Sequence, residues 1–311
     1  MPTQTKIKIK VSAVQHGCHD DRKANLQQSI GGIIAAAKHG AQLACLQELH
    51  SNLYFCQEEN THHFDLAEDI HGETTTRLQG VAEDHHIVIV ASLFEHRASG
   101  LYHNTAVVID SDGQIAGRYR KMHIPDDPGY YEKFYFTPGD LGFKPVTTSL
   151  GKLGVLVCWD QWFPEAARLM TLAGADLLVY PTAIGWDQQD SKEEQRRQLD
   201  AWQTVQRGHA IANGIPIVVC NRTGFEKHPT NENTGIDFWG SSFICGPQGE
   251  ILVQASQDKT ETVSATIDLE KVEGVRRGWP FLRDRRIDAY ADLNQRYLDT
   301  YLDQNKDDTS G

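Results

Sequence analysis

Cys158 closes the apolar run at 153–157 and is followed by Trp159, Asp160, Gln161, Trp162, Phe163 and Pro164. From Glu165 the pattern turns helical, with proline in the opening turn. A cysteine where a buried strand gives way to a helix lies where reacting groups collect in open α/β sheets. The helix N-terminus there favours the thiolate, so Cys158 is a candidate nucleophile. An inert buried cysteine would fit the same pattern. A base and an oxyanion donor elsewhere in the chain would decide between the two.

Three residues offer those partners. Glu48 follows the mostly apolar stretch 41–46, where a carboxylate is poorly solvated and suits the work of a general base. Lys121 ends a strand-like segment and could equally be a solvated strand-end lysine. Glu132 lies in the loop 128–140, which is rich in aromatic residues and too long and apolar for a simple connector. Loops of that kind close over sites. A lysine held between two carboxylates stays protonated when buried, and it can stabilise the oxyanion formed when sulfur attacks a carbonyl.

The elements that must position these residues occur twice. Residues 7–14 read as a strand and 20–40 as a helix with Leu26, Ile30, Ile33, Ile34 and Ala37 on one face. A buried strand at 41–46, a helix at 74–85 and a buried strand at 87–91 follow. Residues 104–110 and 114–121 form a hairpin turned at Asp112-Gly113. The second half repeats the order: strand 153–158, helix 164–174, strand 174–180, helix 192–213, strand 215–220, then a hairpin at 241–245 and 250–255. Two such halves predict an α/β fold, a four-layer α-β-β-α sandwich with sheets stacked inside and helices outside. A single doubly wound sheet is the competing arrangement. The 311 residues then form one domain. A last strand spans 262–267, the tail from about 270 to 311 packs on a neighbouring subunit, and 303–311 frays.

Composition limits the function. A formal charge of −12 leaves no excess of Lys and Arg to neutralise phosphates, so neither nucleic acid nor an anionic membrane is expected as a partner; a cationic small molecule is. The six cysteines are scattered, as reduced cytosolic thiols are, and no apolar run reaches the length of a membrane span, so a cytoplasmic protein is expected. The Asn221-Arg222-Thr223 sequon reads as chance. No H-E-x-x-H or clustered Cys/His spacing accompanies the histidine pairs 62–63 and 85–86, which argues against a metal hydrolase. The G-x-S-x-G, P-loop and dinucleotide glycine patterns are missing too. A non-catalytic module of this fold would be expected to have lost Glu48, Lys121 or Cys158, and all three are present.

The trio Glu48, Lys121 and Cys158 resembles that of the nitrilase superfamily of carbon-nitrogen hydrolases. The stretches 123–136, 158–168 and 180–185 are similar to its branch of N-carbamoylputrescine amidohydrolases, and the resemblance runs over about 7–290. It implies the same sandwich, no metal or organic cofactor, and homo-oligomers built from dimers. It also implies hydrolysis of a ureido group in polyamine biosynthesis, to putrescine, ammonia and carbon dioxide through a thiol-carbamoyl intermediate. By that resemblance Cys158 is the nucleophile, Glu48 the base and Lys121 the oxyanion donor, with the Trp159 amide as second donor. Glu132 positions lysine and substrate, and Thr182 and Ala183 lie in the substrate site.

Relatives that cleave carbamoyl amino acids pair a substrate carboxylate with an Arg just after the nucleophile; Gln161 and Trp162 stand there instead. Tyr54, Tyr130, Trp159, Trp186 and Asp187 are the expected pocket wall, suited to an alkylammonium tail. Asp187 also reads as a helix-start residue. A β-ureidopropionase or an aliphatic amidase of the same superfamily is the alternative.

Overall fold

The computed structural model describes residues 8–298. Its first half runs β1 (Lys8–Gln15), α1 (Arg22–Lys38), β2 (Leu43–Leu46), α2 (Glu73–His85), β3 (Val88–Ala98), β4 (Leu101–Ile109) and β5 (Ile115–Arg120). After the short helix α3 (Glu132–Tyr135) come β6 (Val146–Thr148), β7 (Gly151–Val155), α4 (Pro164–Leu172), β8 (Leu177–Pro181), β9 (Gly185–Asp187) and α5 (Lys192–Asn213). Then follow β10 (Ile217–Cys220), β11 (Thr223–His228), β12 (Asn231–Trp239), β13 (Phe243–Cys245), β14 (Ile251–Gln254), β15 (Glu261–Asp268) and α6 (Leu269–Gly278).

The local signals behind these elements are ordinary ones. The Asp21 carboxylate caps α1 by accepting from the Lys23 and Ala24 amides at 2.9 and 3.1 Å. Ser191 caps α5, and Gly214, at φ +54°, ends it in the left-handed conformation. At the β4–β5 hairpin, Gly113 takes a φ of +78° as the Asp-Gly turn requires.

The strands form two six-stranded sheets, ordered β15-β1-β2-β3-β4-β5 and β14-β13-β10-β8-β7-β6. Alternation along each strand builds the layers. Val11, Ala13, Leu43, Cys45, Val88 and Val90 face the second sheet, in one core with Val155, Leu178, Val179 and Val218. Val14, Ala44, Leu46, Ile89 and Ala91 face outward onto Leu26, Ile30 and Ile33 of α1 and Leu78 of α2. β1 and β2 meet β10 and β8 across the seam, and α4 and α5 cover the second sheet. The molecule is the four-layer α-β-β-α sandwich expected from the repeat. The first half's β1-α1-β2-α2-β3 answers to β7-α4-β8-α5-β10 of the second.

Three features depart from the sequence reading. Residues of β15 return to the first sheet and pair antiparallel with all of β1, from Lys8↔Asp268 to Gln15↔Glu261. β9, β11 and β12 form a third sheet, ordered β11-β12-β9, that no alternation announced. The second half's first strand also stops at Val155 instead of reaching 158, so Cys158 opens a short 3-10 turn, Cys158–Trp162, ahead of α4, which begins at Pro164 as expected. Among the described residues no helix is long and apolar enough to cross a membrane. Residues 299–311, including the stretch expected to fray, lie outside the described residues, as does Ile7.

Candidate active site

The residues that carry chemistry meet where strand ends of both halves converge. Glu48 lies just beyond β2, and its amide donates to Thr182 O, just beyond β8, at 3.2 Å. Lys121 follows β5 directly, and its amide donates to Asn104 O on β4 at 2.9 Å. Arg120, beside it, holds Glu95 with two hydrogen bonds of 2.8 and 2.6 Å, which anchors the end of β5. Glu132 arrives on α3 from the loop after Lys121. That loop returns so close that the Gly139 amide donates to Lys121 O at 2.8 Å, and a Cβ on Gly139 would lie 2.1 Å from Arg120 O. Only glycine fits there.

Glu48, Lys121 and Glu132 are completely buried. Lys121 Nζ donates to Glu48 Oε1 at 2.8 Å and to Glu132 Oε2 at 2.6 Å. Asn104 Nδ2 donates to Glu48 Oε1 at 2.7 Å, and the Tyr54 hydroxyl donates to Glu132 Oε1 at 2.7 Å. Three of the four carboxylate oxygens are thereby engaged. Glu48 Oε2 is buried and has no hydrogen-bond partner among the described residues, so it is the acceptor left for a proton.

The charges follow from burial and from one another. Burial alone would strip Lys121 of its proton, but Glu132 and Glu48 overcome it and hold the ammonium well above the ordinary lysine range. Burial raises Glu132, with Glu48 adding to the effect and Lys121 opposing it. Burial also pushes the Cys158 thiol well above its usual value; Glu48 pushes it further and Lys121 pulls it partly back. The expectation that a helix N-terminus favours the thiolate is therefore reversed. Cys158 rests as a thiol that donates to Ala183 O at 3.6 Å, and attack requires a base.

The turn that bears Cys158 is strained and clamped. Cys158 has a φ of +43°, unusual for a residue with a side chain. Two residues on, the buried Asp160 carboxylate accepts from Val157 N at 2.9 Å, the Tyr119 hydroxyl at 2.8 Å, His123 N at 3.0 Å and His123 Nδ1 at 2.7 Å. It thus ties the turn bearing Cys158 to the backbone that follows Lys121. The Trp159 amide precedes the first donor that the 3-10 segment satisfies, Asp160 N to Val157 O at 3.1 Å, so it is available to serve an anion.

A cleft of about 410 Å³ opens over Cys158 and Glu132. Of the residues expected on its wall, Tyr130, Trp159, Ala183 and Asp187 line it. Tyr54, Thr182 and Trp186 do not. Tyr54 lies behind Glu132, Thr182 turns its hydroxyl toward Gln161 Oε1 at 3.3 Å, and the Trp186 indole donates to Gln195 O at 2.9 Å. Asp187 belongs to β9 rather than to a helix start, since Ser191 caps α5. Sequence reading missed Asp127, Asp190, Trp162 and Trp239 on the wall. The signal for the two acids was their place in loops flanking the aromatic segment and α5. Among the described residues lining the cleft none is Lys, Arg or His. Gln161 is buried, with Oε1 accepting from the Trp202 indole at 2.8 Å. No described cluster of His, Cys, Asp or Glu could hold a metal ion.

Known proteins resemble this chain over most of its length. A family profile described as carbon-nitrogen hydrolase matches residues 10–277. The N-carbamoylputrescine amidase of Solanum tuberosum is 47% identical over 92% of this chain and 94% of its own. A citrullinase of Francisella tularensis subsp. tularensis is 42% identical over 93% and 99%. The crystal structure of a carbon-nitrogen hydrolase from Helicobacter pylori G27 superimposes with a TM-score of 0.91 at 54% identity, covering 94% of this chain and all of that one. With its fold and most of its length accounted for in this way, the chain belongs to the carbon-nitrogen hydrolases of the nitrilase superfamily.

Proposed function

We propose that this enzyme hydrolyses N-carbamoylputrescine to putrescine, ammonia and carbon dioxide, the chemistry of a polyamine-producing step. The observation that carries the reading is a cleft over Cys158 with aspartates on its wall and no basic residue among the described residues that line it. Asp127, Asp187 and Asp190 offer charge to an alkylammonium tail, and the Tyr130, Trp159 and Trp162 rings offer it apolar and π surface.

In the mechanism, Glu48 Oε2 takes the thiol proton as Cys158 attacks the ureido carbon. Lys121 Nζ and the Trp159 amide hold the oxygen as it becomes an anion. Collapse expels one nitrogen, which leaves as a neutral amine with the proton that Glu48 carried. Glu48 then takes a proton from water as that water attacks the thiol-carbamoyl carbon. The thiol is released, and the carbamic acid breaks down to carbon dioxide and the second amine. Either order of nitrogen departure gives the same three products. Glu132 keeps Lys121 charged and in place, and Tyr54 fixes Glu132.

Ammonia release compared among three substrates tests the reading. N-carbamoylputrescine is expected to exceed both N-carbamoyl-β-alanine and citrulline in kcat/KM by about 100-fold or more, because a substrate carboxylate meets like charge with no guanidinium to pair it. Equal turnover of N-carbamoyl-β-alanine would point to a β-ureidopropionase. Preference for citrulline would place the enzyme with the Francisella relative.

We also infer that the chain forms one domain whose C-terminal segment packs on a second copy. Trp279, Phe281, Ile287 and Leu293 are exposed on that segment, and Leu169 and Leu172 are exposed on α4. Sedimentation velocity at micromolar concentration is expected to show a dimer or larger; a monomer would remove the inference.

A further inference from the structure

The mechanism uses one buried ion-pair network and leaves a second unexplained. Arg222, just beyond β10, is completely buried, and so nearly is its partner Glu226 on β11. The pair sits in the second half of the chain but spends its hydrogen bonds on the first. Arg222 Nη2 donates to Glu48 O at 2.9 Å and to Leu49 O at 3.0 Å; Nη1 donates to Asn52 O at 3.1 Å and to Glu226 Oε1 at 2.5 Å. Glu226 Oε2 accepts from the Tyr54 amide at 2.6 Å. The guanidinium also lies over the Phe238 ring, 5.2 Å from its centroid. Leu49 takes a φ of +49°, a conformation that a branched side chain occupies only when held there.

We propose that Arg222 and Glu226 are positioning residues that set both carboxylates flanking Lys121. Arg222 fixes the Glu48 backbone through two carbonyls on either side of the left-handed turn, which aims Glu48 Oε2. Glu226 fixes the Tyr54 backbone, and Tyr54 in turn holds Glu132 through its hydroxyl. One ion pair, contributed by the third sheet and the strand before it, thereby joins the base and the lysine-holding acid across the seam between the halves. Burying a guanidinium costs several kcal/mol unless each donor is met. Here the four N–H groups on Nη1 and Nη2 are met while the buried Nε finds no partner among the described residues, and three of those four bonds end on the loop that carries Glu48. A lysine could keep the charge but not the fork that grips two carbonyls at once.

This inference rests on the reading of Glu48 as the base. The test uses R222K and E226Q in the full-length enzyme, with folded protein quantified by near-ultraviolet circular dichroism. Two rates are measured per folded molecule: turnover of N-carbamoylputrescine, and alkylation of Cys158 by iodoacetamide, which needs the thiol deprotonated but no particular substrate. Misplacing a base by about an ångström costs roughly 100-fold. In each variant, kcat and the alkylation rate are expected to fall between about 10- and 100-fold with KM changed less than about threefold. The double variant is expected to be no worse than the worse single one, since both break the same clamp. Variants that melt lower but keep kcat and alkylation per folded molecule within threefold of wild type would overturn the proposal and leave the pair structural. Failure of the wild type to hydrolyse N-carbamoylputrescine would sink the substrate reading alone, because the alkylation ratio would still report on the clamp.

Discussion

Cys158→Ser is expected to bring ammonia release to background, a loss of at least about 10⁴-fold, as happens when a covalent nucleophile is removed from a preformed site. Cys158 is the only cysteine, serine or threonine among the described residues lining the cleft, Lys121 acts on its thiol, and burial already raises its proton affinity. A serine hydroxyl starts from a far higher value and would present Glu48 with a proton it cannot take. The fold should hardly notice. Sγ makes one long contact, 3.6 Å to Ala183 O, and the strained turn is held by Asp160 rather than by the sulfur. The melting temperature should therefore stay within a few degrees of wild type. Intact-mass spectrometry of a quenched reaction should show the carbamoyl adduct on wild type and none on the variant. More than about one hundredth of wild-type activity in a well-folded variant would end the case for Cys158 as the nucleophile.

The sandwich was legible because its strands are buried on both faces and α1, α4 and α5 are stopped by glycine at 40, 174 and 214. Runs such as 87–91 and 215–220 have few other destinations, and their repetition defines the two halves. The third sheet was not legible. β11 and β12 carry Glu226, Lys227, Asn231 and Asp237 among their apolar residues, and their order comes from pairing with β9 across a long stretch of sequence. The same limit governed the site. Glu48, Lys121 and Cys158 stood out as strand-end residues. Asp160, Asn104 and Arg222 did not, because a polar residue reads as solvated until its partners are known, and theirs lie far away in the chain or on the backbone. Tyr54 reads from the sequence as pocket wall, yet it stands behind Glu132 and supports that carboxylate instead of facing the cleft. The thiol was misjudged for a related reason. The sequence shows a neighbouring helix but not how much protein surrounds the sulfur, and burial is the larger effect.

Lys121→Met should show how far catalysis and folding depend on the same cation. Methionine keeps most of the volume of the buried stem, so the change removes charge and donors rather than packing. Catalytically, the oxyanion loses its charged donor and keeps only the Trp159 amide, and kcat is expected to fall at least about 10³-fold. Structurally, two buried carboxylates lose the ammonium between them, and breaking such a pair costs about 3–5 kcal/mol. That cost has a sign in pH. Glu132, which burial already raises, rises further without Lys121, so its folded value lies above its unfolded one. A group of that kind binds more protons in the folded state. Its penalty is smallest below the ordinary glutamate range, near pH 4, and grows as the pH climbs through the folded value. Urea unfolding should accordingly find the variant least destabilised in mild acid and most destabilised above neutrality. Adding Glu132→Gln removes one of the two stranded charges, and the double variant should regain much of the lost stability at neutral pH while remaining inactive. Recovery of turnover along with stability would show that Lys121 serves the fold alone. A Lys121→Met enzyme within tenfold of wild-type kcat would remove it from the mechanism.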